Sequence, residues 1–413
     1  MAARRPFDKA KVAVLGVGYS RITRDPPPPG KELGDECVEA CQAAIADAGL
    51  QVQDIDGITA FCEPMGSGAP DGLTMVTPQY IWRRLRLPVR WGEVNHKFVG
   101  SSLIEAHNAI AGGACRFALV WRGVDLPRGP ARRYGQPEDA DRAPGNSQWA
   151  LPYGAAGGFQ LHAPSAQRYF HKYGATRDDM ATFVVTNRKH ALMNEKSYWS
   201  QNRPEKLTRE DYLNARMIAE PLCLYDCDLP VRGNVAYVLG PAEAAQDLAH
   251  RAAFIKGFSQ WWIGPRGPET FFHGGGIQEK PNLEDNADLP PIMQRTLWEP
   301  TGLRPSDIST ANVYDGFSIL AWLWLEALGF CKEGEAFQFI QNGRMEIDGK
   351  LPLNTSGGHL GEGALAGAPH YTEAILQASR RAGPRQVRNV RYALAATDRP
   401  TRAQVIIFSS EID

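Results

Sequence analysis

Ala48-Gly-Leu-Gln-Val-Gln-Asp-Ile-Asp56 is echoed by Thr301-Gly-Leu-Arg-Pro-Ser-Asp-Ile-Ser309, and both stretches lead into a β-like run. The shared Gly-Leu-x-x-x-Asp-Ile core predicts that the chain builds one structural unit twice. Length agrees, because 413 residues exceed the ~250–300 at which a single hydrophobic core stops growing. The expected organisation is a first half over residues 1–250, carrying a loop and helical subdomain at about 123–219, and a second half over 251–413.

Each half alternates. Val12-Ala-Val-Leu-Gly-Val-Gly18 is a short β-type run, and Leu33 to Ala48 places apolar residues at helical spacing until Gly49 ends it. A helix over Ile104–Ile110 stops at Gly112-Gly113 and is followed by the strand Arg116-Phe-Ala-Leu-Val-Trp121. Strand and helix in turn predict α/β layering. From Gly123 to about Pro164 the chain is rich in Gly, Pro, Arg and Asp, too long for a plain connection, which suggests a cap over a site or a contact surface.

Composition excludes several classes. Lysine plus arginine (45) nearly cancels aspartate plus glutamate (46), so no overall field draws in nucleic acid or an anionic membrane. The apolar run Phe317 to Phe330 is too short to span a bilayer and carries Glu326, so it reads as a core helix. The opening MAARRPFDKAKVAVLGVGYS has a short apolar run broken by glycines and reads as neither signal nor anchor. The seven cysteines show neither zinc-ribbon pairs nor the density of a secreted scaffold, and read as reduced thiols of a cytoplasmic protein with no metal site.

Chemistry concentrates in the second half. Val313-Tyr314-Asp315-Gly316-Phe317-Ser318 precedes the apolar helix, and Leu351-Pro-Leu-Asn354-Thr-Ser-Gly357-Gly358-His359-Leu-Gly-Glu362-Gly363 follows it. With the closing Val405-Ile-Ile-Phe408, these segments resemble, in order, the thiolase superfamily. The likeness is greatest to sterol-carrier-protein-type thiolases and to the lipid-transfer-protein-type steroid side-chain aldolases. The resemblance implies two βαβαβαββ halves in a five-layer α/β/α/β/α arrangement, a homodimer, and an acyl-CoA-type substrate.

The family's catalytic cysteine begins a helix whose far end matches Ala109-Ile110-Ala-Gly-Gly113. Counting back without gaps reaches His96, and a shifted alignment reaches Gly100. Neither is cysteine. Cys115 lies beyond the helix and reads as a core residue, so a thiolate acyl-enzyme is not expected. Tyr314 stands where the thiolases carry histidine and the aldolases tyrosine, and the resemblance therefore implies retro-aldol cleavage of a β-hydroxyacyl-CoA. That reaction needs an acid/base pair and an oxyanion site, and no covalent nucleophile.

On this reading Tyr314, His96 and His359 are the acid/base candidates, with Lys97 a further influence on the phenol. Asp315, Asn354, Gly357, Gly358 and Glu362 are the candidates for holding the thioester and CoA. Ala364 occupies the place where the aldolases put a second tyrosine. Substitutes for that group are sought among His359, His370, Tyr371 and Glu362. No cofactor is expected, since CoA is part of the substrate. A small OB-fold and zinc-ribbon partner is implied by the aldolases. Two other readings stay open: a non-catalytic acyl-CoA-binding or scaffold subunit, and an acyltransferase with an atypical nucleophile.

Overall fold

The computed structural model describes residues 7, 10–62, 71–73, 75–95, 98–126, 158–262 and 289–412. His96, Lys97 and most of the Gly/Pro-rich stretch between 123 and 164 lie outside the described residues.

The first copy runs β1 (Val12–Tyr19), α1 (Leu33–Asp47), β2 (Gly57–Phe61), α2 (Pro78–Leu85), β3 (Trp91–Asn95), α3 (Val99–Ala111) and β4 (Ala118–Asp125). Helices α4 (Gly158–Tyr173) and α5 (Arg177–Met193) intervene before β5 (Arg232–Pro241). The second copy follows with β6 (Ala253–Trp262), β7 (Thr310–Val313), α6 (Ser318–Ala327), α7 (Gly358–Glu362), α8 (Ala368–Ala378), β8 (Tyr392–Arg399) and β9 (Arg402–Ser409).

The strand order β3-β2-β4-β5-β1-β6-β9-β8-β7 is a mirrored repeat about β1 and β6. In the first copy β2 runs parallel to β3 and β4, and β5 runs antiparallel to β4 and β1. In the second, β7 is parallel to β8, and β9 is antiparallel to β8 and β6. Among the described residues, strand pairing joins the two at Ala13 with Phe254 and Val14 with Ala253. In the second copy the third strand is reduced to one parallel bridge, Leu353 with Ala311, at the position that β3 holds beside β2. Pro352 and the left-handed Asn354 (φ 46°) flank that bridge and stop a ladder from extending.

Alternation along the strands creates three apolar layers. Leu119, Trp121, Ala236 and Val238 pack outward against Cys37, Ala40, Cys41 and Ala44 of α1. Their neighbours Ala118, Val120 and Tyr237 turn inward, where α3 and α8 also receive Ala393, Ala395, Ile406 and Phe408 from the other copy. Leu394, Ala396, Val405 and Ile407 face outward again, toward α5 and α6. All ten residues of α6 are buried, Glu326 included, as befits a helix that is apolar all round. Among the described residues no helix is long and apolar enough to cross a membrane.

Candidate active site

The site forms where β7 ends. The Tyr314 backbone N–H donates to the Ala396 carbonyl at 2.9 Å, so the residue leaves the strand in register with β8. One residue earlier, Asn354 grips Val313 with both ends of its amide: Oδ1 accepts from the Val313 N–H at 2.7 Å and Nδ2 donates to the Val313 carbonyl at 2.9 Å. A side chain thus supplies the bonds that a third strand would have made, and it fixes the base from which Tyr314 projects.

The half-buried Tyr314 ring packs edge-on to Phe98, centroids 5.2 Å apart, and edge-on to His359 at 4.7 Å. Its hydroxyl lies over Gly316, where a Cβ would fall 2.5 Å from the oxygen, so only glycine leaves room for this pose. Phe98 in turn stacks on Phe61, and the buried Arg122 guanidinium lies 4.2 Å from the Phe61 centroid. These aromatic walls sit beside the N-terminus of α3.

Under the tyrosine two buried aspartates each hold a histidine. Asp315 is fully buried and saturated: Oδ1 accepts from the His359 backbone N–H at 2.8 Å and bonds His370 Nε2 at 2.9 Å, while Oδ2 accepts from Asn187 Nδ2 at 2.6 Å. His359 Nδ1 lies 3.3 Å from Asp228 Oδ2, and its Nε2 accepts the Gly367 N–H at 2.8 Å. A backbone N–H can only donate, so Nε2 carries no proton and the ring proton is on Nδ1, facing the carboxylate. Both nitrogens of His359 are therefore committed, one to Asp228 and one to the Gly367 loop, and its ring packs on Tyr314. Burial pushes the His370 imidazole below the usual histidine range, against the pull of Asp315.

The remaining expected residues divide. The Gly357 N–H donates to the Asn354 carbonyl at 2.8 Å, inside the turn. A Cβ on Gly357 (φ 96°) would fall 2.5 Å from that of Ala191, and one on Gly358 (φ 57°) would strike the Asp315 carboxylate. Packing on α5 and on Asp315 thus already demands both glycines. Glu362 does not join Tyr314. It lines a separate cavity of about 280 Å³, together with Tyr19, Lys196, Glu373, Arg381 and Arg385. Burial, joined by the nearby Glu373 and Asp315 charges, pushes its carboxyl up to about 8. Tyr371 is buried with its hydroxyl held by Thr397 Oγ1 at 2.7 Å and the Gln404 carbonyl at 2.8 Å. That hydroxyl fills the space over Gly100, where even a Cβ would clash, so the shifted nucleophile position has no room for a cysteine. Ala364 is buried in the central layer, its N–H on the Leu229 carbonyl.

Asn187 and Asp228 escaped sequence reasoning. Asn187 sits on the α5 stripe of Met180, Phe183, Val184 and Ala191, and a polar residue in that apolar row was the available signal. Asp228 lies in Leu-Tyr-Asp-Cys-Asp, and its N–H donates to the Gly316 carbonyl at 3.0 Å.

Residues 295–408 match the family described as "Thiolase C-terminal domain-like". A steroid side-chain-cleaving aldolase of Thermomonospora curvata is 34% identical over 368 residues, covering 88% of this chain and 89% of that one. A 17-hydroxy-3-oxo-4-pregnene-20-carboxyl-CoA lyase of Mycobacterium tuberculosis is 32% identical over 380 residues, with 89% and 91% covered. The solved Ltp2-ChsH2(DUF35) aldolase superposes with a TM-score of 0.79 at 30% identity, covering 97% of this chain and 98% of that one. The fold is that of the thiolase superfamily. Within it, the chain belongs to the aldolase and lyase family, the steroid side-chain-cleaving aldolases.

Proposed function

We propose that the chain cleaves a β-hydroxyacyl-CoA by retro-aldol chemistry, with a steroid side-chain thioester as substrate, and releases a ketone and a shorter acyl-CoA. The observation that carries this reading is Tyr314, whose hydroxyl is posed over Gly316 beside the aromatic walls of Phe98 and Phe61. In the reaction the substrate hydroxyl loses its proton, the Cα–Cβ bond breaks to leave a ketone, and the electron pair passes into the thioester enolate. The enolate is then protonated at carbon. Tyr314 accepts the first proton and returns the second, so the step is balanced and needs no further cofactor. A phenol titrates near ~10, and it serves as a base only with help from its surroundings.

Acyl transfer through a thiolate has less support. Burial pushes the thiols of Cys62, Cys115 and Cys223 up to about 12, far from the thiolate form at neutral pH. The relative solved as an Ltp2-ChsH2(DUF35) complex supports a DUF35-type partner, of OB-fold and zinc-ribbon build, for this chain as well. A homodimeric, cytoplasmic enzyme completes the reading.

The test is incubation with β-hydroxyacyl-CoA thioesters bearing a tertiary hydroxyl, with and without a DUF35-type subunit, followed by mass detection of products. Ketone plus shortened acyl-CoA, lost in Tyr314→Phe, is the expected result. Tight binding of intact thioester would instead make the chain an acyl-CoA-binding subunit, the reading that Ala364 favours.

A further inference from the structure

Ala364 leaves the site without the second tyrosine that the resemblance implies, yet two histidine rings bracket Tyr314, and they are not equivalent. His359 has both nitrogens committed, to Asp228 and to the Gly367 N–H. His370 has Nε2 on Asp315 at 2.9 Å, while Nδ1 is buried and makes no full hydrogen bond, with the Gly367 carbonyl in its neighbourhood. Its ring centroid is 5.7 Å from that of Tyr314 and 5.2 Å from that of His359. A buried ring nitrogen without a full hydrogen bond is costly, and on a ring beside Tyr314 it is a place to which a proton can go. A carboxylate behind one imidazole nitrogen with the other left open is the arrangement by which an aspartate orients a histidine as a base.

We propose that His370 is the positioning residue that completes the acid/base pair: with Asp315 behind it, it holds the proton that Tyr314 must give up to act as a base. This rests on the retro-aldol reading. The O–H bond of Tyr314 breaks and an N–H bond forms on His370 Nδ1, directly or across one water. The result is a phenolate beside an imidazolium that Asp315 neutralises. The phenolate takes the substrate hydroxyl proton and later delivers it to the enolate, and the His370 proton returns to Tyr314 when the site resets. No proton or electron is gained or lost over the cycle. Asp315 and Tyr314 face His370 from the loop after β7 and His359 faces it from α7, while α5 contributes only the neutral Asn187, which anchors Asp315.

The test is His370→Gln, which keeps a donor for Asp315 and cannot carry a proton, with His370→Phe as a packing control. The expected result for Gln is a kcat about 100-fold lower, a KM within about twofold, and loss of the acid limb of the kcat–pH profile. Wild-type kcat and pH profile in the Gln variant would overturn the proposal. So would a joint change in kcat and KM with an unaltered profile, the mark of a purely structural residue. NMR of the His370 ring protons, assigned by their loss in the Gln variant, gives a readout independent of catalysis. Their titration should shift by roughly half a pH unit or more in Tyr314→Phe, and no shift would overturn proton sharing. If the wild type cleaves no thioester the lyase reading fails, and the NMR titration still decides whether the two groups are coupled.

Discussion

Asn354 binds both backbone groups of Val313 with one side-chain amide, at 2.7 Å and 2.9 Å, at the sheet edge where the second copy has no full third strand. Asn354→Ala would leave a buried N–H and a buried carbonyl unpaired. At ~1–3 kcal/mol for each orphaned group, the variant should lose roughly 2–5 kcal/mol in denaturant unfolding. Because Tyr314 projects from the next residue, kcat should fall even under conditions where the variant is fully folded. Full activity in the folded variant would show that the clamp does not position the tyrosine.

Gly358 tests the same junction from below. A Cβ there would strike the carboxylate that holds His359, His370 and Asn187 together. With φ at 57°, alanine is also strained in its own backbone. Gly358→Ala should therefore cost about 2–4 kcal/mol in denaturant unfolding and disturb the ring-proton signals of both histidines.

Tyr314→Phe removes one oxygen from a half-buried ring whose contacts to Phe98 and His359 are made by the ring itself. Thermal stability should stay within a few degrees of wild type, while kcat drops by about 10²–10⁴. A large loss of Tm would mean that the hydroxyl serves the fold.

Much of this is legible in the sequence. The Gly-Leu-x-x-x-Asp-Ile echo marks the same turn in each copy, with Asp54 Oδ2 accepting from the Gln51 N–H and Asp307 Oδ2 from the Arg304 N–H, each at 2.7 Å. Glu326 stood out as a charge in an apolar run. In the fold it anchors a loop, accepting from Tyr169 Oη at 2.5 Å and from the Gly334 N–H at 3.0 Å. The motif segments gave Tyr314, Asp315 and Asn354 because local sequence builds that turn. Asn187 and Asp228 come from distant elements with no motif of their own, and only the tertiary fold brings them beneath Tyr314. The roles of Gly357, Gly358 and Glu362 could not be read for a related reason: facing inward to packing or outward to another cavity is decided by neighbours on other elements, Ala191 for Gly357, Asp315 for Gly358, and Tyr19 and Arg385 for Glu362.

Glu326 offers a stability test away from the site. Glu326→Leu would strand the N–H groups of Gly334 and Ala336 and the Tyr169 hydroxyl in the interior. The expected loss is about 3 kcal/mol or more, since a buried acceptor is removed while its donors stay. Specific activity per folded molecule should be unchanged, and pairing the change with Tyr169→Phe should recover part of the loss in a double-mutant cycle.

Glu362 gives the fold a dependence on pH. Burial raises its carboxyl to about 8 in the folded chain, against about 4.3 in an unfolded one. Between those values the folded state holds a proton that the unfolded state has released. The stability contributed by the neutral carboxyl is therefore fully present below about pH 4 and declines as pH rises toward 8, at up to about 1.4 kcal/mol per unit. Glu362→Gln keeps the shape and stays neutral, so it removes that decline. The variant should match wild type in Tm near pH 5 and exceed it progressively up to pH 8 or 9, with the gap levelling off above the folded value. A gap that is the same at pH 5 and pH 9 would show that the carboxyl is ionised in the fold, with Arg385 and not burial controlling its charge.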